Sequence, residues 1–292
     1  MKIDLHIHTK TCSDGALPIE EVFKEAKARG IDFMSTTDHD SIECQDQAIE
    51  LAKEYQISYI TGVELNVTFQ YGDESVSLDF LGYQYDKDNK ELKEKLHNIA
   101  KYRVKRARRI MDNLNAEFDK EGLRRFTDED MQKIQENVEG TFGRPHIANY
   151  LIEQGIVKDK QEAFDKYLVK CNVPKYPLSL EEASKLIRNA GGVLVHAHPA
   201  DPKGISLIEI TRNLHEQTRI IEEQMLDYID GVECWHSSYD EKITRHYIEF
   251  ARKHGLLVTG GSDCHQKPII MGTMQIPDWV AAQFSARQRK TS

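Results

Sequence analysis

The sequence predicts an α/β fold built on a mainly parallel sheet, and three observations carry that expectation. Short apolar segments alternate with amphipathic helical segments at both ends of the chain, the pattern of successive βα units. Cap residues bound these segments, as Gly30 and Gly255 do after two of the helices. Strand signals stop between about residues 88 and 175, where the composition turns helical; residues 1–87 and 176–292 then form the core and 88–175 an insertion.

Taken in order, strands are expected at Lys2–His6, Ile31–Thr36, Ser58–Gly62, Gly192–Val195, Asp230–Cys234 and Leu256–Thr259. Helices are expected at Pro18–Arg29, where proline suits the first turn; at Ile42–Tyr55, capped by Asp40 or Ser41; at Leu180–Asn189; and at Tyr239–Lys253. Leu65–Tyr71 and Val76–Tyr83 flank Gly72-Asp73-Glu74 and read as a hairpin. The insertion opens with a helical run from Lys90 to about Lys120, and the polar, basic stretch Gln283–Ser292 is expected to fray.

Composition narrows the function classes. The 292 residues, 39% hydrophobic and 30% charged, suffice for one large core. A mean hydropathy of −0.59 and the lack of an unbroken apolar run exclude a membrane-spanning helix. The N-terminal MKIDLHIHTK is interrupted by polar residues and reads as no leader, so a cytoplasmic location is expected. Five cysteines, odd in number and without a CxxC pair, are expected as free thiols. A formal charge of −9 argues against long nucleic acid or anionic lipid as partner, while leaving room for a local phosphate-binding patch.

The chemistry lies at the strand ends. His6 and His8 share one side of an extended segment, an arrangement suited to a metal ion. Taken alone, such a pair is better explained by two ordinary, partly buried histidines. Asp14 follows in Ser13-Asp14-Gly15, and later strand-like segments run into Asp38 and His39, Glu64, His196 and His198, His236, and Asp263 and His265. In a βα barrel such ends converge on one face, where catalytic groups collect. Mixed imidazole and carboxylate donors suit Mn, Fe or Zn, and more are present than one ion uses, so two or three divalent ions are expected. Clustered ions of this kind deprotonate water and neutralise phosphoryl charge.

The ordered motifs DLHIHT (4–9), SDG (13–15), TDHD (37–40), GVE (62–64), GRPHIA (143–148), AHP (197–199) and GSDCH (261–265) resemble the PHP domain, the polymerase and histidinol phosphatase superfamily. Within it they are most similar to phosphoesterases of small phosphorylated metabolites and nucleotides. The resemblance implies a distorted (β/α)7 barrel with a helical insertion covering a trinuclear metal site. It implies that His6, His8, Glu64 and Asp263 hold one ion and that Asp14, His39 and His265 hold another. A third shares Glu64 and takes His198. Where the family has a histidine in His-x-x-Gly, this chain has Asp79-Phe80-Leu81-Gly82, so Asp79 is expected to ligate through oxygen and make the second site harder, favouring Mn or Fe.

Asp38, His196 and His236 are the candidate catalytic residues, the histidines either orienting a ligand or protonating the leaving oxygen. Arg144 and His146 of the GRPHIA motif, with Arg103 and Arg106 one helical turn apart, are expected at the substrate phosphate. The competing reading of Arg144 is a solvated residue at a helix start. The expected activity is hydrolysis of a nucleoside bisphosphate or cyclic sugar phosphate type of ester. The rivals are a 5′-3′ exonuclease on short oligonucleotides, another metal-dependent hydrolase such as an amidohydrolase, and a non-catalytic metal-binding barrel.

Overall fold

The structure is a computed structural model and describes residues 1–138, 140–203 and 205–291. Its elements are β1 (Ile3–Asp4), α1 (Ile19–Ala28), β2 (Phe33–Met34), α2 (Gln45–Tyr55), β3 (Ser58–Tyr59), β4 (Gly62–Tyr71) and β5 (Glu74–Tyr83). The helical stretch follows as α3 (Lys90–Glu121), α4 (Asp128–Glu136), α5 (Arg144–Glu153) and α6 (Lys160–Ala163), which runs into a π-turn at Phe164–Leu168. The chain finishes with α7 (Leu180–Asn189), β6 (Val193–His196), α8 (Leu214–Gln224), β7 (Gly231–Trp235), α9 (Glu241–His254), β8 (Leu257–Gly260) and α10 (Trp279–Thr291).

The helices follow from residue spacing and caps. On α1, Ile19, Val22, Phe23 and Ala26 recur at helical spacing and are buried, with Glu20 and Glu21 in the first turn. Asp240 caps α9 by accepting from the Ile243 N–H at 2.8 Å, and Gly255, at φ 66°, ends it in the left-handed conformation that glycine adopts without a Cβ clash. Asn213 caps α8 in the same manner, an element the apolar spacing did not announce. The C-terminal stretch is helical rather than frayed, because Val280, Ala281 and Phe284 are buried and Phe284 packs on Phe33 and Tyr83; Ser292 lies outside the described residues.

Two sheets form. The first orders β1-β2-β3 in parallel; the second orders β4-β5-β6-β7-β8. Within the second, β5 is antiparallel to both β4 and β6, so the hairpin breaks the parallel run, while β6, β7 and β8 are parallel. What the sequence offers as one strand ending at Gly62 is a two-residue β3, and Gly62 instead opens the ten-residue β4. Backbone hydrogen bonds link the two sheets. Leu5 donates to Gly260 at 3.1 Å, and Asp40 donates to the Glu64 carbonyl at 2.8 Å.

Buried Val63, Leu65, Phe80, Tyr83, Val195 and Val232 belong to the main apolar cluster, each worth about 1.5–3 kcal/mol of transfer free energy. A separate cluster, from Ala107 to Val173, unites α3, α4 and α5 with the π-turn. One expectation fails. Cys12 and Cys44 are joined in a disulfide with Cα atoms 6.0 Å apart, because the loop after β1 folds onto the start of α2 across a separation of 32 residues that no short motif signals. Cys171, Cys234 and Cys264 are free and buried. No helix among the described residues is long and apolar enough to cross a membrane.

Asp130 ties the helical stretch together. It takes a forked pair from Arg124 at 2.7 and 2.9 Å, the Tyr150 hydroxyl at 2.6 Å and the Thr127 N–H at 2.7 Å, bringing α5 to the start of α4. The Arg124 fork holds its carboxyl well below the usual carboxylate range, with Tyr150 and Thr127 adding to the effect against burial. Asp130→Ala should cost about 2–4 kcal/mol in urea unfolding at pH 7. Because the folded pKa is depressed, the difference from wild type is full above pH ~4 and should shrink as pH falls below it; a pH-independent difference would reject the ionic origin.

Candidate metal centre

The strand ends bring together the donors that the motifs supply. Extended backbone from β1 carries His6 and His8, and it is fixed from below by Asp4, whose carboxylate accepts from the Ser262 N–H at 2.9 Å and the Gly272 N–H at 2.8 Å. The loop after β8 lies directly on this segment. Asp263 donates its N–H to the His6 carbonyl at 2.8 Å, and a Cβ on Gly261 would come within 2.3 Å of the His6 nitrogen, so only glycine admits this approach. Glu64 enters from β4, held by backbone bonds to Asp38 and Asp40. Asp40, His198 and Asp263 all have positive φ, and strained non-glycine backbone of this kind gathers where surrounding structure dictates the geometry.

At the centre, Glu64 lies 2.9 Å from His39 Nδ1, 3.0 Å from His198 Nε2, 3.2 Å from His8 Nε2 and 3.5 Å from His6 Nε2. Asp263 Oδ1 is 3.3 Å from the Nε2 of both His6 and His8 and 3.2 Å from His265 Nδ1. Asp14 is 3.4 Å from His265 and 3.8 Å from His39. The donor atoms fall into four overlapping groups, each within 4.8 Å: His8, Asp14, His39 and His265; His6, His198 and Asp263; His6, His8 and Glu64; and Glu64, Asp79 and His198. Asp79 thus sits with Glu64 and His198 rather than beside Asp14 and His39, where its effect was expected. His6, His8, Glu64 and His198 are buried, while Asp14, His39 and His265 are partly exposed, so the cluster opens at one end.

Glu64 Oε1 hydrogen-bonds His198 Nε2, but other short contacts of the cluster are misaligned for hydrogen bonding. Glu64 Oε2 and Asp263 Oδ1 are buried and make no hydrogen bond despite their imidazole neighbours, and His8 Nδ1 and His198 Nδ1 are unpartnered as well. Buried polar atoms ordinarily find partners. Oxygen and nitrogen atoms aimed at common points instead of along N–H···O lines fit divalent cations, and the imidazole–carboxylate composition suits Mn, Fe or Zn.

Charge is balanced within the cluster. Burial disfavours the protonated form of His6, yet Glu233, Asp263 and Glu64 outweigh it and hold the ring well above its usual pKa. Glu64 likewise overcomes burial to bring His198 up to about 9. Burial opposes ionisation of Asp263 too, but His265 and His6 keep it well below the carboxylate range. For Asp79, burial and the Glu64 charge outweigh the attraction of Lys175, His39 and His198 and push it up.

Several expected roles need correction. His196 is buried with both ring nitrogens unpartnered and stacked 4.7 Å from Phe80, and burial lowers it to about 3, so among the described residues it makes no polar contact with the cluster. Asp38 spends its carboxylate on the Thr9 N–H at 2.7 Å and the Thr9 hydroxyl, so its side chain shapes the loop leading to Asp14, while its backbone carbonyl accepts the Glu64 N–H at 3.2 Å. Arg106 is buried, giving Nε to the Val173 carbonyl and Nη2 to Asn172, both at 2.6 Å. Arg103 forks onto Asp40 and donates to the Phe142 carbonyl. His236 lies with Nε2 3.3 Å from Asp263 and Nδ1 2.8 Å from the Ser238 hydroxyl. On α5, Arg144 lies over the Phe164 ring at 5.3 Å, and His146 Nδ1 accepts the Gly143 N–H at 3.1 Å.

The motif reading passed over Glu233 and Asp4. Glu233 is buried, faces His6 Nδ1 at 3.1 Å and accepts the His198 N–H at 2.8 Å, orienting two donors at once. Its position three residues before His236 was a visible signal. Beside the open end, a cavity of about 650 Å³ lies between residues 40–46 and α3, with an apolar side from Ile42, Leu96, Ala100 and Val104. Thr141, on its wall, donates its hydroxyl to the His39 carbonyl at 2.8 Å. Its lysines are already paired: Lys87 with Asp46 and Asp88, Lys93 with Asp88.

Comparison with known proteins agrees with this chemistry. The chain is 33% identical over 273 residues to a 3′,5′-nucleoside bisphosphate phosphatase of Chromobacterium violaceum, covering 90% of this chain and 87% of the relative. It is 33% identical over 205 residues to a 5′-3′ exoribonuclease of Haemophilus influenzae, covering 68% and 69%. A crystal structure from Bifidobacterium adolescentis, described as a candidate metal-dependent phosphoesterase, superposes with a TM-score of 0.79 at 28% identity, covering 98% of this chain and 96% of that one. Residues 4–176 match the PHP domain model, and the chain therefore belongs to the PHP domain family as a metal-dependent phosphoric ester hydrolase.

Proposed function

We propose that this phosphoesterase removes a phosphate from a small phosphorylated metabolite carrying a second anionic group, of the nucleoside bisphosphate type. The observation that carries the reading is a dense donor cluster, open at Asp14, His39 and His265, beside a cavity of about 650 Å³. The cavity suits the uncharged body of a nucleoside: its apolar wall offers area, and its paired lysines offer little to a polyanionic chain. The exonuclease rival draws on the Haemophilus relative's name and on the same open cluster.

In this reading His6, His8, Asp14, His39, Glu64, Asp79, His198, Asp263 and His265 hold two or three divalent ions. Such ions would lower the pKa of a bound water and neutralise phosphoryl charge. Glu233 orients His6, His236 beside Asp263 passes a proton to the leaving oxygen, and Arg144 and His146 bind the substrate phosphate. The fold proposed with it is a distorted (β/α)7 barrel of residues 1–87 and 176–292 with residues 88–175 inserted. It is supported by the backbone bonds joining the two sheets and by the separate apolar cluster of the helical stretch.

Chelation should abolish turnover, and Mn or Fe should restore it better than Mg, whose preference is for all-oxygen sites. Elemental analysis finding at most one ion per fully active chain would reject the multinuclear assignment. Because the His6, His39, His198 and His265 pKa values are raised, loading the metal-free protein at pH 7 should displace protons, and metal affinity should fall as pH is lowered. Calorimetry in buffers of different ionisation enthalpy measures this; a heat independent of buffer contradicts it.

Asp79→Ala should reduce metal content and kcat together, whereas Asp79→His should retain metal. Wild-type metal content and kinetics in Asp79→Ala would assign Asp79 to support of Asn66, whose amide donates to it at 2.5 Å. To separate substrate classes, Mn-loaded protein is compared on a nucleoside 3′,5′-bisphosphate and on 5′-phosphorylated oligonucleotides of increasing length. A higher kcat/KM on the bisphosphate is expected, and a kcat/KM rising with chain length would favour the exonuclease.

A further inference from the structure

We propose that Lys175 is the anion-binding residue that receives the non-scissile phosphate of the substrate, an assignment that rests on the two-anion reading above. Lys175 stands where the helical stretch returns to the core. The segment before it is pinned to α3 by three hydrogen bonds: Arg106 Nε to the Val173 carbonyl, Arg106 Nη2 to Asn172 and the Tyr102 hydroxyl to the Pro174 carbonyl at 3.1 Å. On its other side, Tyr176 is held edge-on against Tyr102 and under Lys95. A lysine fixed this firmly would ordinarily face a carboxylate. Among the described residues, however, the Lys175 ammonium has no hydrogen bond and no carboxylate oxygen within 4.0 Å.

The cations around Lys175 are already committed to protein acceptors. Lys175 borders a cleft with Asp40, Asn66, Arg103 and Arg106. The cleft measures about 10 Å³, room for one oxygen atom, so a phosphate would place a single oxygen there and remain otherwise outside. Asp79 and Asp40 face Lys175 at longer range, as do the cations Arg103 and Arg106, and Glu209 is influenced by it in turn. Burial pulls the ammonium down to about 8 against the attraction of Asp79, which leaves it charged at neutral pH. Both nearby guanidinium groups are occupied by protein acceptors, so Lys175 is the cation there with its donors uncommitted.

Lys175→Gln removes no protein hydrogen bond and should fold, which an unchanged unfolding midpoint confirms. In metal-free protein at pH 7, titration with inorganic phosphate should show binding weakened at least about 10-fold by Lys175→Gln and restored to within about 3-fold by Lys175→Arg. Equal affinities in all three proteins, or no measurable binding by the wild type, would overturn the assignment. In the Mn-loaded enzyme, Lys175→Gln should raise KM for a nucleoside 3′,5′-bisphosphate about 10- to 100-fold with kcat largely kept, while kcat/KM for 4-nitrophenyl phosphate stays within about two-fold. Equal losses on both substrates would place Lys175 at the scissile phosphate or in support of the metal centre, against the inference. A loaded wild type that cleaves no phosphate ester refutes the proposed function and leaves the phosphate titration to decide on Lys175.

Discussion

Burying the Glu64 carboxylate is the constraint around which the structure is arranged. A carboxylate this far from water costs several kcal/mol unless charge and hydrogen bonds compensate it. Four imidazoles from three separate segments lie within 3.5 Å of it, arriving from the end of β1, from the loop after β2 and from the turn after β6. None of these segments holds its position by side-chain packing alone. Asp4 fixes the first, backbone bonds between residues 38–40 and Glu64 fix the second, and Glu233 holds the third by its N–H. The positive φ of Asp40, His198 and Asp263 is the local cost of turning the chain sharply enough for the donors to meet.

The same constraint explains which parts of the site were legible in the sequence. Metal-type donors lie in short motifs at strand ends, where period-two geometry and βα order already imply convergence, so His6, His8, His39, Glu64, His198, Asp263 and His265 could be read directly. Roles that depend on the partner of a side chain could not. Nothing in Lys101–Arg109 distinguishes Arg106, which ends in the Val173 carbonyl, from a cation facing solvent. His196 and His198 share a motif and a spacing, yet one stacks in the apolar core on Phe80 and the other reaches Glu64, because the strand ends at His196 and the backbone then turns.

The fold shows a similar division. Amphipathic helices with clear caps, such as α1 and α9, follow from residue spacing, since one apolar face and a good cap suffice to define them. The two-residue strands β1, β2 and β3 carry too little pattern to fix their ends, and their lengths are set by neighbours. The Cys12–Cys44 pairing and the burial of Phe284 are likewise long-range facts that a local reading does not contain.

The insertion and the donor cluster are mechanically one unit. Arg103 on α3 forks onto Asp40, whose N–H is bound to the Glu64 carbonyl and whose carboxylate also accepts the Asn66 N–H at 3.2 Å. Asn66 in turn donates to Asp79. A displacement of α3 therefore passes through Asp40 to the backbone of Glu64, and through Asn66 to Asp79, and Thr141 of the insertion adds a direct bond to the His39 carbonyl. Arg106, one turn further along the same helix, fixes the segment that carries Lys175. Two arginines one turn apart that look like phosphate ligands in the sequence thus act as struts, setting the distance between the donor cluster and the segment that carries Lys175.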